Sequence, residues 1–205
     1  MKIDVIDIGI GNISSIENWL TRSNINCNRV SNPNDLNSDL VILPGVGSAK
    51  LYAEKLLENK FDTAIKKHLA NGGRLIGICL GFQILFDHLE EDGGVKGLGI
   101  LRGKVELLES GKSNTGWGDF FFNKNQLSPN WISKTLSKSK KKIIEGRVFY
   151  NHNYAVITAD PKVSNFKIPS YNSYSSFITS EQIVGFQFHP EKSQWTGQTL
   201  IEMIY

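Results

Sequence analysis

Cysteine is scarce in this sequence: Cys27 and Cys79 are the only two in 205 residues, and neither sits at a metal-ligating spacing. That excludes a disulfide scaffold and fits a reducing, cytoplasmic setting. No apolar run approaches the roughly 18 residues of a membrane span. The opening Met1-Lys2-Ile3-Asp4-Val5-Ile6-Asp7 places two acids in seven residues, which reads as a strand rather than a signal peptide. A net charge of +3 is too small to argue for a nucleic-acid partner. Internal repeats and low-complexity linkers are also missing, so residues 1–205 read as one domain. What remains is a composition with 40% hydrophobic and 21% charged residues, that of an ordinary soluble protein able to bury a core.

The first half alternates strand and helix. Lys2–Ile8 is apolar and β-branched, followed by the turn Gly9-Ile10-Gly11. Apolar residues at 13, 16, 19 and 20 give a helical period over Asn12–Ser23. A strand over Asn28–Val30 is less sharply marked, whereas Asp39–Leu43 is clear and stops at Pro44-Gly45-Val46-Gly47. Ser48–Ala70 reads as one helix, with Leu51, Leu56, Leu57, Phe61, Ala64, Ile65 and Leu69 on one face, ended by Gly72-Gly73. Leu75–Cys79 is a short buried strand and Gly81–Leu89 a helix. This alternation implies a parallel sheet with helices on both faces. From about Gly97 the pattern changes to strands joined by turns: Gly103–Leu108, Gly146–Tyr150, Ala155–Thr158 and Ile183–Phe188. The fold class is therefore α/β, a mostly parallel sheet with an antiparallel C-terminal flank.

Gly77-Ile78-Cys79-Leu80-Gly81 lies between a strand and a helix, the arrangement of a nucleophile elbow with sulfur in place of oxygen. A nucleophile on such a tight turn needs small neighbours two residues before and after it. The free N–H groups that open the following helix favour negative charge on the sulfur. A bare cysteine is more often a small buried hydrophobe; the flanking glycines reverse that balance. Cys27 lacks such a setting and reads as structural.

The thiol needs a base. His68 lies late in an amphipathic helix and reads as solvated. His88 lies too far along the helix after Cys79, and His152, in Asn151-His152-Asn153-Tyr154, suits a pocket wall. His189 stands in Gly185-Phe186-Gln187-Phe188-His189-Pro190-Glu191. Strand alternation brings residues two apart to one face, so Glu191 can accept from the His189 imidazole, and Pro190 stiffens the pair. Cys, His and an acid form an activated-thiol triad. The Pro44–Gly47 loop can offer free backbone N–H groups to an oxyanion.

These segments, Gly77-Ile78-Cys79-Leu80-Gly81-Phe82-Gln83, Leu43-Pro44-Gly45-Val46-Gly47 and Gly185 through Ser193, resemble the class I (triad) glutamine amidotransferases. Asp7-Ile8-Gly9-Ile10-Gly11-Asn12, the Pro-Gly-Val-Gly loop and Lys192-Ser193 are similar to the glutaminase subunits of imidazole glycerol phosphate synthase, from histidine biosynthesis. The resemblance spans residues 4 to about 193. It implies a flavodoxin-like three-layer fold and hydrolysis of L-glutamine to glutamate and ammonia through a thioester on Cys79. His189 would act as base and acid, and Glu191 would hold it. The N–H groups of Val46 and Leu80 would form the oxyanion hole. Gly45, Gly47, Gln83, Glu91, His152, Asn153 and Tyr154 would meet glutamine, with Glu91 facing its α-ammonium. The ammonia would pass to a (β/α)8-barrel synthase partner in a heterodimer, with Asn12, Trp117 and Lys192 near the interface. No cofactor and no metal are implied. The resemblance also implies weak activity without the partner.

The chain departs from the family in three places. The usual Pro-His-Met-Gly-Trp-Asn reads Ser113-Asn114-Thr115-Gly116-Trp117-Gly118, Val-His-Ser-Tyr reads Asn151-His152-Asn153-Tyr154, and Ser48-Ala49 follows the Pro-Gly-Val-Gly loop. These changes admit an alternative, a paralogue supplying ammonia for amidination of a sugar in surface-polysaccharide or glycan biosynthesis. A nucleotide-binding module, suggested by Gly9-x-Gly11-x-x-Ser14, lacks the third glycine and the acid that binds a ribose. A different thiol enzyme on the same fold would lack the spaced His-Pro-Glu. The basic run Lys134 to Lys142 reads as a solvated loop.

Overall fold

A computed structural model describes residues 2–109, 111, 113–126, 131 and 143–205. The basic run from Lys134 to Lys142 lies outside the described residues. In chain order the elements are β1 (Ile3–Ile6), α1 (Ile13–Arg22), β2 (Cys27–Val30), β3 (Leu40–Gly45), α2 (Ala49–Glu58), α3 (Phe61–Ala70), β4 (Arg74–Cys79) and the one-turn α4 (Leu80–Gln83). They continue through β5 (His88–Leu89), β6 (Val95–Lys96), β7 (Lys104–Leu107), β8 (Asn114–Asn123), β9 (Ile143–His152) and β10 (Tyr154–Ile157). The last are β11 (Ser164–Ile168), β12 (Tyr171–Thr179), β13 (Ile183–Phe186) and α5 (Gln194–Ile204).

The main sheet has the order β11-β12-β13-β4-β3-β1-β2. Strands β2, β1, β3, β4 and β13 run parallel, and β12 and β11 add an antiparallel edge. An order of 2-1-3-4 with a fifth parallel strand beside β4 is the flavodoxin-like arrangement. Side-chain alternation divides each strand between two cores. Ile3, Val5, Leu40, Ile42, Ile76, Ile78, Val184 and Phe186 face α1 and α5. Ile6, Val41, Leu43, Leu75 and Ile183 face α2 and α3. Each fully buried aliphatic side chain contributes about 1.5–3 kcal/mol, so a one-residue slip of β3 would invert both layers. The Trp19 indole N–H donates to the Gly197 carbonyl at 2.9 Å and joins α1 to α5. Asp4 is fully buried in β1, and its carboxylate accepts from Asn28 Nδ2 and from the Asn37 and Ser38 N–H groups.

Three expectations change. The single helix over Ser48–Ala70 is two helices, broken at Asn59-Lys60, where Lys60 adopts φ +59. Tyr52, Ala53 and Leu56 face the core from α2, while Leu51 and Leu57 are exposed. The helix expected over Gly81–Leu89 ends after one turn, because residues 98–101 capture the carbonyls of Ile84, Leu85 and Phe86. His88 consequently lies on a strand. The antiparallel flank is also more than an edge: β10-β7-β5-β6 form a second sheet and β8-β9 a long hairpin.

For the site, the register of β4 matters most. β4 lies between β3 and β13, with Gly45 paired to Cys79 and Phe186 to Ile78. The segments leaving all three strands therefore meet at one end of the sheet, where ligands of such sheets bind.

Candidate active site

Cys79 ends β4 with φ +52 and ψ −112, a conformation that favours glycine, and its residue is 7% exposed. Such strain costs about 1–3 kcal/mol and is held by its surroundings. Two glycines make the turn feasible. A Cβ at Gly81 would lie 2.0 Å from the Leu43 carbonyl oxygen, and one at Gly77 would lie 2.8 Å from Phe82 Cα. Because α4 is a single turn, its dipole is short, and the main electrostatic partner of the sulfur is a side chain.

That side chain is His189, which lines the same cavity and interacts electrostatically with Cys79. Its Nδ1–H donates to Glu191 Oε1 at 2.8 Å, with the two side chains 2% and 1% exposed. The expected pair is present, but a different local structure makes it. β13 ends at Phe186, and Glu191 lies in a 3-10 turn, Pro190–Lys192, with Pro190 at its first position. The pair is thus built by a turn that folds back rather than by strand alternation. Burial pulls the His189 pKa down, but the hydrogen bonds and charges of Cys79 and Glu191 outweigh it and push it up to about 10. The His189 N–H donates to the Phe149 carbonyl at 2.8 Å. Ser193 Oγ donates to the His189 carbonyl at 2.6 Å and accepts from the Phe149 N–H. Ser193 closed a recognised motif in the sequence, yet only the structure reveals it as the pin of the histidine backbone.

A cavity of about 240 Å³ opens at Cys79, lined by Val46, Gly47, Leu80, Gln83, Glu91, Asn151, His152, Asn153, Tyr154 and His189. It gathers most of the residues expected to meet glutamine. Gly45 is not among them: a Cβ there would lie 2.3 Å from the Gly81 N, so its part is the close approach of β3 to the elbow. The Gln83 amide nitrogen is already committed, since its Nε2 donates to the Tyr154 carbonyl at 2.7 Å and to Gln187 Oε1 at 3.2 Å. The Asn151 carbonyl oxygen lies 4.0 Å from Cys79 Sγ. Glu91 is half-buried, and burial followed by the neighbouring Asp92 charge raises its pKa.

His152 is a neutral wall. Its Nδ1–H donates to the Tyr154 carbonyl at 2.9 Å and its Nε2 accepts from Asn114 Nδ2 at 3.0 Å. Burial lowers its pKa to about 4. Asn114 is one of the departures from the family pattern, and its contact with His152 joins two of the altered segments. His68 is half-buried, not solvated, with Nε2–H donating to the Arg74 carbonyl at 2.9 Å. Asn12, Trp117 and Lys192 stand outside the cavity. Trp117 is 41% exposed and packs edge-on against Phe149, and the Lys192 ammonium lies 5.8 Å from the same ring. Asn12 caps α1, which packs against the 190–192 turn.

A larger cavity of about 990 Å³ lies at the other end of the strands, among Asn34, Lys60, Lys67 and Arg74, and its lining holds no thiol. The loop after β1 is not a pyrophosphate cradle. The Asp7 carboxylate accepts from the Gly9 N–H and from Arg29 there, placing an anion where a phosphate would sit. No group of three or more metal-ligating side chains occurs among the described residues.

The "Glutamine amidotransferase class-I" family matches residues 4–203. Imidazole glycerol phosphate synthase subunit HisH of Aquifex aeolicus is 35% identical, over 98% of this chain and 95% of its own. The protein of the same name from Bacillus subtilis is 33% identical, over 97% and 93%. Among solved structures, that of PurLQS from Thermotoga maritima superposes with a TM-score of 0.74 at 18% identity, covering 99% of this chain and 96% of that one. The last likeness concerns the fold; the family match and the full-length relatives show that this chain belongs to the class-I glutamine amidotransferases.

Proposed function

We propose that this chain is the glutaminase subunit of an imidazole glycerol phosphate synthase, with Cys79, His189 and Glu191 as its catalytic triad. The observation that carries this reading is the buried Cys79–His189–Glu191 relay opening onto a cavity shared by Val46, Leu80 and Glu91. The names of its full-length relatives supply the pathway.

The chemistry follows from that geometry. His189 takes the thiol proton, and the sulfur attacks the carbonyl carbon of the glutamine side chain. The carbonyl π pair moves onto oxygen, where the N–H groups of Val46 and Leu80 receive it. Protonated His189 gives its proton to the departing nitrogen, and ammonia leaves behind a glutamyl thioester on Cys79. His189 then deprotonates a water that attacks the thioester, and glutamate departs as the thiol is restored. Glu191 keeps the imidazole in the Nδ1–H tautomer, with its other nitrogen toward sulfur. Glu91 receives the substrate ammonium, and Gly47, Gln83, His152, Asn153 and Tyr154 shape the wall around the substrate.

Ammonia released near neutral pH is largely protonated and loses its nucleophilicity. A sealed transfer to a (β/α)8-barrel partner is therefore part of the reading, with Asn12, Trp117 and Lys192 on the face that meets it. The setting is cytoplasmic. The altered segments 113–118 and 151–154, joined by the Asn114–His152 contact, leave one other destination to test, a sugar-amidinating partner. Complementation tests the two. Rescue of a histidine auxotroph lacking this subunit, lost on Cys79→Ala, supports the histidine pathway. Failure to rescue, with glutamine hydrolysis intact beside a sugar-pathway partner, replaces it.

A further inference from the structure

Two neighbouring acids hold the start of α2. The Glu91 carboxylate lies near enough to the Ala49 N–H for that group to favour its charge, and the Lys50 N–H donates to Asp92 Oδ2 at 3.0 Å. The same Asp92 oxygen accepts from Ser48 Oγ at 2.6 Å. Ser48 is the N-cap of α2, and its Oγ accepts in turn from the Leu51 N–H at 3.3 Å. Asp92 reaches this position in the left-handed region, with φ +57. A carboxylate is well placed there, against the positive end of a helix. The hydrogen bonds from Ser48 and Lys50 hold its pKa below the usual carboxylate range, so it is ionised while it holds the loop.

A second anchor lies on the strand side. Gly45 is paired with Cys79, and Tyr52 Oη donates to the Pro44 carbonyl at 2.5 Å. Only Val46 and Gly47 span the gap between the anchors, and both line the cavity. Glu91 lines it as well, so one carboxylate faces two demands: the Ala49 N–H and the substrate ammonium. Ser48 and Asp92 do not line the cavity.

Resting on the glutaminase reading above, we infer that Asp92 and Ser48 form a positioning clamp. It keeps the Val46–Gly47 oxyanion loop in register with Cys79 while Glu91 engages the substrate ammonium.

Steady-state glutaminase kinetics of the complex with its partner test the clamp. Asp92→Gly removes the carboxylate while leaving positive φ accessible. Asp92→Asn keeps an acceptor oxygen and tolerates the same backbone. Asp92→Gly and Ser48→Ala should each lower kcat about tenfold, less than the roughly 100- to 1000-fold cost of removing an oxyanion donor outright, with KM changed less than about threefold. Asp92→Asn should recover most of the rate, and the double variant should be no worse than Asp92→Gly alone, since the two residues act as one unit. Alkylation of Cys79 by chloroacetamide, a displacement that forms no oxyanion, should proceed at the wild-type rate in every variant. Wild-type kcat in Asp92→Gly overturns the inference. So does an equal fall in alkylation, which would make Asp92 a general structural residue, or a change confined to KM, which would place it in substrate binding. If the wild-type complex itself fails to hydrolyse glutamine, the underlying reading falls instead.

Discussion

His189 Nδ1 and Glu191 Oε1 are 2.8 Å apart in a pair almost sealed from solvent, at 2% and 1% side-chain exposure. A buried imidazole so held retains its proton to high pH, with Cys79 and Glu191 as the cause. The sign for stability follows. The folded-state pKa lies above the ordinary histidine value of 6.5, so this stabilisation is complete below about pH 6.5 and is lost as pH rises toward about 10. Glu191→Gln removes the part that Glu191 contributes and leaves that of Cys79. The difference in unfolding free energy between wild type and Glu191→Gln should be largest near pH 6 and shrink above pH 9, as read by denaturant titration across that range. The same variant should lower kcat by about 100-fold or more, through loss of an oriented acid and base. Its alkaline limb should move to lower pH.

The backbone of Cys79 makes a prediction independent of its chemistry. At φ +52 and ψ −112 any side chain is strained, and glycine is not. Cys79→Gly should therefore be more stable than Cys79→Ala by about 1 kcal/mol, although it removes more buried carbon. Chemical denaturation of the two inactive variants decides it. An alanine variant as stable as the glycine one would mean that the elbow relaxes.

The exposed rim offers a separation between chemistry and assembly. Trp117 and Lys192 both meet the Phe149 ring, outside the cavity. Trp117→Ala and Lys192→Ala should weaken partner binding, by about 1–3 kcal/mol for the tryptophan, and should lower partner-stimulated glutaminase activity. Unstimulated alkylation of Cys79 should not change. Isothermal titration against the partner proposed above measures the first effect and thiol labelling the second.

Much of this site is legible in the chain because its requirements are local. Gly77 and Gly81 flank Cys79 at the positions where a Cβ would strike backbone. His189 and Glu191 are two residues apart, so their pairing can be read without knowing the fold, even though a 3-10 turn, not a strand, achieves it. The parallel core follows from the alternation of apolar strands and amphipathic helices. What the sequence conceals depends on distant partners. The helix after Cys79 stops because residues 98–101 take its carbonyls. The break between α2 and α3 rests on a lysine in the left-handed region, a residue type that gives no warning of it. Asp92 meets Ser48 across 44 positions of sequence, and Asn114 meets His152 across 38, so neither contact leaves a local pattern.

Cys27 is the natural internal control for the thiol chemistry. It is half-buried, and burial together with the charges of Glu17 and Asp4 raises its pKa, so it should remain unmodified where Cys79 reacts. The decisive measurement is an acid quench of the partner-bound chain during turnover with glutamine, followed by peptide mass mapping. The triad account predicts a glutamyl group on the Cys79 peptide and none on the Cys27 peptide, with the adduct absent in Cys79→Ala. Glutamine turnover that continues in Cys79→Ala, or an adduct on any other residue, would contradict it.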